Sequence, residues 1–542
     1  MPASSACPRT PAHASGAGRP AGVGGAVPRP RHRRARTLAR LVLAAALGVG
    51  GSAVLQAPAQ AAESYPVPAG GSVTLAGHGF GHGHGLSQWG AYGAAEKGLS
   101  WQQILAFYYP GTRISAPTLP DATLRILMSA DDTTDTRVDP AAGLTLTAAS
   151  GTVTLPTGPD YAGWRLVTAP QDRTQLQLQH LTGGGAWTVW NPGTGADDPA
   201  AVVGGDAAFA VTGAGATTSV DALPRLVLPS GTRRAVRGAI RSVAWSGGGT
   251  RTIALVPMEQ YLRSVVPAEM PASWPPAALA AQSVAARTYA GRARAVAGST
   301  PYDVCDSTAC QVYAGSADYT AGGTRTALRE HSASDAAVRA TAGQVVRYGS
   351  GTSDAATLAF TQFSASNGGW TTAGSQPYLV AKADPYDGVP SESWNPHDWS
   401  VALSGSRLAA AYPAAGSVSR LDVLSRDGHG DWGGRVTSVR VTGSSGSVTV
   451  SGSSFQAALG LRSTWWTVTS SGGGSTPPPA PAPGTGDFSG DGRPDLLARD
   501  AAGALWLYPG TADGSLGART LVGRSGWSVM SALTGVGDLS GD

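Results

Sequence analysis

The chain has 542 residues, with 75 Gly, 38 Pro and only 14% charged residues. That length accommodates two or three domains, and the balance describes a strand- and loop-rich globular protein with linkers, not a helical bundle. Eight arginines within residues 1–62, unaccompanied by Lys, Asp or Glu, carry the formal net charge of +4; without them it is −4, which argues against an electrostatic nucleic-acid binder.

Arg31 to Arg40 forms a positive n-region, Leu41 to Leu55 an apolar h-region rich in Ala and Gly, and Ala59-Gln60-Ala61 a small-x-small cleavage site. Residues 1–61 therefore read as a signal peptide with an N-terminal extension, and the protein as secreted, extracellular or cell-wall associated. The apolar run is short and has no basic stop on its far side, so no permanent membrane anchor is expected. Cys7 falls in the leader. Cys305 and Cys310 remain, and C-x4-C in an exported chain fits a small disulfide loop. Zinc is the competing reading, disfavoured because no His lies between or beside the pair.

Gly77 to Thr112 alternates Gly with His78, Phe80, His82 and His84, then gives Ser87, Gln88 and Trp89. The glycines permit tight turns and close approach to a ligand. A helix is expected over Gln88–Lys97, stopped by Gly98, and a second over Trp101–Tyr109, capped by Ser100 and stopped by Pro110-Gly111. His82, Ser87 and Gln88 are candidates for the polar lining of a sugar cleft. A self-bonded Gly-rich turn and a His-x-His metal site are the alternatives. Short runs at Leu124–Met128, Leu144–Ala148, Val153–Leu155, Trp187–Trp190 and Ile240–Trp245 alternate with Gly, Pro and Asp turns and predict a β-rich scaffold with no catalytic signature.

Arg251–Val256 predicts a strand leading into a short helix, with Pro257 at its first position and Glu259 in its first turn, where a negative charge suits the dipole. Glu269 follows, wedged between Pro267 and Pro271 among Val265, Val266, Met270 and Trp274. A carboxyl in such surroundings tends to keep its proton, which is the state a general acid needs. The plain alternative is a loop carboxylate that caps or hydrogen-bonds its neighbours. Pro275-Pro276 opens a helix over Ala277–Val296, ended by Gly298. Its small residues permit close packing, and the Arg287 within it calls for a carboxylate partner. Asp303–Gly315 predicts a loop then a strand, with Gln311 and Tyr313 on one side by period-two alternation. Ala340–Tyr348 predicts a helix end running into a strand. Phe360–Tyr378 predicts a strand and a tight Asn-Gly-Gly turn, with Ser364, Ser366, Trp370 and Thr371 as candidate carbohydrate contacts. The stretch ending at Val468 predicts a closing edge strand.

Ser470–Gly486 is a Gly/Ser/Pro linker. After it, Asp487, Ser489, Asp491, Arg493 and Asp495 occupy positions 1, 3, 5, 7 and 9 of a calcium-type loop, with Gly492 at the sixth place and Ala498 where a Glu would complete it. Asp538 to Asp542 restarts the pattern, a period that fits propeller blades. Residues 487–542 thus read as an incomplete all-β repeat with Ca2+ as its expected ion.

The central sequence resembles the SpoIID/LytB family of cell-wall proteins. The matching residues are Tyr261-Leu262, Val265-Val266, Glu269-Met270, Trp274-Pro275, Ala278-Leu279 with Gln282, Arg287-Thr288-Tyr289, Cys310-Gln311-Val312-Tyr313, Gly368-Gly369 with Thr371, Gly460-Leu461-Arg462-Ser463, and the block Gly81 to Ala91. The likeness spans most of residues 77–468. It implies an α+β, strand-rich domain over residues 62–469, with a Gly-His block at 77–112, a core at 251–468 and a few helices around a glycan cleft. It further implies a peptidoglycan lytic transglycosylase with Glu269 as sole acid/base, needing no cofactor for catalysis. His82, Ser87, Gln88, Gln311, Tyr313, Ser366 and Thr371 are then the candidate substrate contacts. Other members are described as modifiers of N-acetylmuramoyl-L-alanine amidases, so a non-catalytic wall-binding partner of such an amidase is the second implication. The tail resembles FG-GAP/VCBS repeats, which implies calcium binding.

Overall fold

Thr250–Pro257 sits at the centre of the architecture, and its Ile253, Ala254 and Val256 are fully buried. Residues 63–115, 122–215, 217–245, 247–351, 353–389, 396–472, 495–500, 504–511 and 516–523 are described by the computed structural model. The leader read over residues 1–61 lies outside them, as do the linker from 473 and the calcium-loop residues Asp487, Ser489, Asp491 and Arg493. No helix among the described residues is long and apolar enough to cross a membrane.

The domain is α+β and strand-rich, as expected. Among the described residues Thr250–Pro257 lies in a seven-stranded sheet, antiparallel to Thr123–Leu127 on one side and Ala239–Ala244 on the other. Val304–Cys305 adds a short parallel strand at the edge, with Cys305 opposite Leu127. The predicted scaffold strands are present with boundaries shifted by a residue or two; Leu144–Ala148 is unchanged. A nine-stranded sheet running from Ala196–Asp197 to Arg325–Leu328 completes the scaffold.

The helices gather beside this sheet. Gln88–Glu96 (α1) starts at Ser87, whose side chain accepts from the Gly90 amide. Trp101–Tyr108 (α2) starts at Ser100 in a reciprocal capping box with Gln103. Met258–Glu269 (α3) leaves the end of the central strand with Pro257 as its N-cap, and Pro276–Val296 (α4) follows. Ser332–Ala340 (α5) precedes the strand Val345–Arg347. The small side chains of α4, from Ala278 to Ala286, let α1, α2, α3 and α5 all pack against it. A core of Ile126, Ile240, Val256, Val265, Val266 and Leu279 joins helices to sheet.

A second core contains Val73, Leu75, Leu403, Val439, Phe455 and Trp466. Ser72–His78 runs between Asp398–Ser404 and Trp466–Gly472, so the closing strand predicted near Val468 is an edge strand. Each fully buried large apolar side chain contributes roughly 1.5–3 kcal/mol, and Trp466 has no exposed surface. The tail forms a three-stranded antiparallel sheet of Leu496–Arg499, Leu505–Tyr508 and Thr520–Gly523.

Candidate active site

Glu269 is the last residue of α3. The short helix expected after Pro257 runs on through Pro267, so Glu269 ends a helix and does not sit in a loop, and Met270 turns extended behind it. This places the carboxyl at the negative end of the helix dipole, where ionisation is disfavoured. Trp274 packs beneath, stacked on Tyr92 at 5.0 Å and edge-on to Trp89 at 4.9 Å. Oε1 accepts from the Val312 amide at 3.0 Å and Oε2 from Gln88 Nε2 at 3.4 Å. Burial pushes its pKa above the ordinary carboxylate value, opposed by those two neutral donors. No cation is among the groups that set it.

The carboxyl opens onto a cleft of about 390 Å³ with Phe80, His82, Gln88, Tyr289, Phe363 and Ser364 on its walls. One wall is the Gly-His strap. Leu86–Ser87 pairs in parallel with Phe363–Ser364, and Phe80 bridges to Ser366. Gly81 shows why alternate positions lack side chains: its φ is +109°, and a Cβ there would sit 2.6 Å from the Ser364 Cβ. The opposite wall is the Cys305–Cys310 loop. The two cysteines are disulfide-bonded with Cα atoms 5.5 Å apart, as the spacing indicated. The bond holds the segment that delivers the Val312 amide.

His82 lies on the cleft wall with its ring stacked against His84 at 5.0 Å. The His84 amide donates to His82 Nδ1 at 2.9 Å, which leaves Nε2 as the protonated nitrogen of a neutral ring. Crowding by the surrounding protein atoms, then His84 and Arg435, lowers its pKa to about 4, although the ring keeps an exposed edge. His82 is therefore neutral at physiological pH, and its ring also bonds the Phe363 backbone. The His-x-His metal reading does not hold among the described residues: the His/Asp group close enough for an ion contains neither His82 nor His84.

Five of the residues expected to touch a ligand lie beneath the surface, and their roles are corrected accordingly. Gln311 has no exposed surface; it accepts from Tyr261 Oη at 2.9 Å and donates to the Ala286 carbonyl at 3.4 Å. Tyr313 is stacked on Tyr261 at 5.4 Å. Both do point the same way, but inward, from an irregular segment and not a strand. Ser87 caps α1 and donates to Asp387 at 2.9 Å. Ser366 also donates to Asp387, and Thr371 donates to the Val380 carbonyl at 2.8 Å. All five position the cleft walls. Ser364 and Gln88 do reach the cleft.

Sequence reading missed the buried polar frame behind the strap. Asp387 accepts from Ser87, Ser366 and the Asn367 and Gly368 amides. Asp384 accepts from Tyr108 Oη at 2.7 Å and Asn367 Nδ2 at 2.6 Å. Arg435 donates to the Asn367 carbonyl at 2.9 Å, and burial lowers its pKa to about 10. The signal available was the Asp384-Pro385-Tyr386-Asp387 run in a charge-poor chain. Glu259 and Arg287 form a bidentate ion pair, 2.7 Å at both contacts, as the buried arginine required.

With this geometry in view, the comparison with known proteins is specific: residues 246–348 match the family Stage II sporulation protein (SpoIID). The chain carries a SpoIID domain. Over 139 residues it is also 39% identical to a Bacillus subtilis (strain 168) protein named Amidase enhancer, a stretch covering 24% of this chain. The chain spans only 16% of that relative's length. The matched SpoIID segment contains Glu269, Tyr289, the disulfide and Val312, whereas Gln88, the strap and Phe363 come from outside it.

Asp495 belongs to the tail. Its Oδ1 accepts from the Gly510 amide at 2.8 Å, within the three-stranded sheet region.

Proposed function

We propose that this protein is an exported lytic transglycosylase that cleaves peptidoglycan glycan strands at the bond between N-acetylmuramic acid and N-acetylglucosamine. The observation that carries this reading is a single carboxyl, Glu269, facing a cleft with its pKa raised and no cation beside it. Protonated, Glu269 gives its proton to the glycosidic oxygen as the bond to the muramic acid C1 breaks. The resulting carboxylate takes the proton of the muramic acid C6 hydroxyl as that oxygen attacks C1, leaving a 1,6-anhydro end. Val312 and Gln88 steady the carboxylate in the second half, and neutral His82 lines the same cleft.

One carboxyl suffices because the nucleophile belongs to the substrate. Hydrolysis by a carboxylate pair needs the partners about 5–9.5 Å apart. Glu259, ten residues back on α3, is separated by about 15 Å of helix rise and is held by Arg287. The test is muropeptide analysis of purified sacculi treated with wild type and with Glu269→Gln. Anhydro-muropeptides from wild type alone support the reading; their absence, or release that survives the substitution, defeats it.

The relative's name favours a second reading, in which the cleft binds wall glycan and the protein stimulates an N-acetylmuramoyl-L-alanine amidase. That reading predicts faster amidase turnover on sacculi when the protein is added, undiminished by Glu269→Gln.

A further inference from the structure

The strap carries a third histidine that the cleft does not use. His78 ends the strand Ser72–His78, and its Nδ1 lies 2.6 Å from Asp398 Oδ1. Its Nε2 is buried and has no hydrogen-bond partner. Asp431 Oδ2 stands 3.6 Å from that nitrogen, beyond hydrogen-bonding reach. His397 approaches from the neighbouring segment, ring centroids 6.0 Å apart, with its Nδ1 3.3 Å from the buried Asp387. One donor atom each from His78, His397 and Asp398 fall within 4.8 Å of one another.

We propose that His78, His397 and Asp398 form a binding site for a divalent transition-metal ion, with zinc the best match. The His397 imidazole has the buried Asp387 at its Nδ1, the arrangement that orients a ligand histidine and raises the basicity of its other nitrogen. Two ligands of a tetrahedral zinc, each about 2.0–2.2 Å from the ion, lie roughly 3.3–3.5 Å from one another. The three donor atoms, already within 4.8 Å of one another, need only small side-chain rotations to reach that spacing. Imidazole mixed with carboxylate suits zinc better than calcium or magnesium, which favour all-oxygen shells.

The segments are held together without the ion. The Gly79 amide donates to the His397 carbonyl at 2.7 Å, and Trp465 Nε1 donates to the Asp431 carbonyl at 2.9 Å. Trp432 stacks on His78 with centroids 4.4 Å apart, and it is the one non-glycine residue of positive φ, +57°, among the described residues. Backbone in that region is costly and persists where the surroundings fix it. Asp398 and Asp431 keep exposed side chains, which leaves a route for the ion. The bound ion would staple the strap to residues 397–398 at His78, two residues from the cleft-lining Phe80. The site shares no residue with the disulfide, and it stands whether or not the cleft cuts glycan.

The full chain, stripped with a chelator and dialysed, is titrated with Zn2+ alone, and bound metal is counted by mass spectrometry alongside calorimetry. One zinc per chain is expected, retained in excess Ca2+ and in the Cys305→Ser/Cys310→Ser double variant. Affinity is expected to fall at least about tenfold in Asp398→Asn and His397→Gln. The Asp398→Asn variant changes an exposed side chain and is expected to melt like the metal-free wild type. Absence of stoichiometric zinc in wild type overturns the proposal. So does displacement by calcium, which would put the ion in the C-terminal acidic run, or unchanged affinity in both Asp398→Asn and His397→Gln.

Discussion

Helix α3 carries one glutamate in its first turn and one at its last residue, and the two ends have opposite surroundings. Glu259 meets a buried guanidinium in bidentate geometry and also accepts from the Gly343 amide at 3.3 Å. Glu269 meets only an amide and a carboxamide, at the dipole end that disfavours charge, over an open cleft. The same residue type on one helix thus serves two purposes. A carboxylate matched by a cation ties down the fold. One set half-buried over a cleft without a cation holds its proton more tightly than an ordinary carboxyl and is available for proton transfer.

The contrast can be broken by experiment, and the largest effect is expected at the cleft end. Glu269→Gln keeps an acceptor for Val312 but cannot exchange a proton. Anhydro-muropeptide release should fall by about 10²–10⁴-fold, the usual worth of a general acid–base group, while chemical denaturation shows no loss of stability. At the other end Arg287→Met should do the reverse. Leaving Glu259 without its partner in a largely buried site should cost about 3 kcal/mol, read by denaturant midpoint, with residual activity tracking the folded fraction. Equal stability losses at both ends would erase the distinction.

Two smaller effects sharpen it. Gly85→Ala would drive a Cβ into the Gln362 carbonyl and to 2.8 Å from the Tyr109 ring at a φ of +66°. A loss of roughly 1–3 kcal/mol is expected, with the cleft wall opening and glycan turnover falling alongside. The smallest effect is the pH dependence of Glu269 itself. Its folded pKa lies above the unfolded value, so the native state binds the proton more tightly. Stability therefore declines as pH rises from the ordinary carboxylate value of 4.5 through the raised one. Glu269→Gln should be the more stable protein above that window, and the advantage should vanish below it. Wild-type turnover should fall over the same rise as the acid loses its proton.

Local features were legible in the chain because local chemistry fixes them. Ser100 with Gln103, Gly98, and Pro275-Pro276 set helix ends to within a residue or two. Arg287 inside an alanine-rich helix demanded its carboxylate, and the cysteine spacing gave the bond. Glu269 stood out through its apolar neighbours. What could not be read is depth. Ser87, Gln311, Tyr313, Ser366 and Thr371 are polar residue types found equally well in a cleft or behind it, and only the packing of α1, α4 and the strap decides. The contact of Gln88 with Glu269 spans 181 residues, which no periodicity encodes. Asp384, Asp387 and Arg435 were hidden for the same reason: their partners come from distant segments.

The pairing of Ser72–His78 with Trp466–Gly472 orders events in time. A chain threaded out from its amino end would present the strap long before the strand that anchors it. Until residue 472 has been made, Ser72–His78 has its partner strand Asp398–Ser404 on one side only, so the strap rests on half of its final sheet.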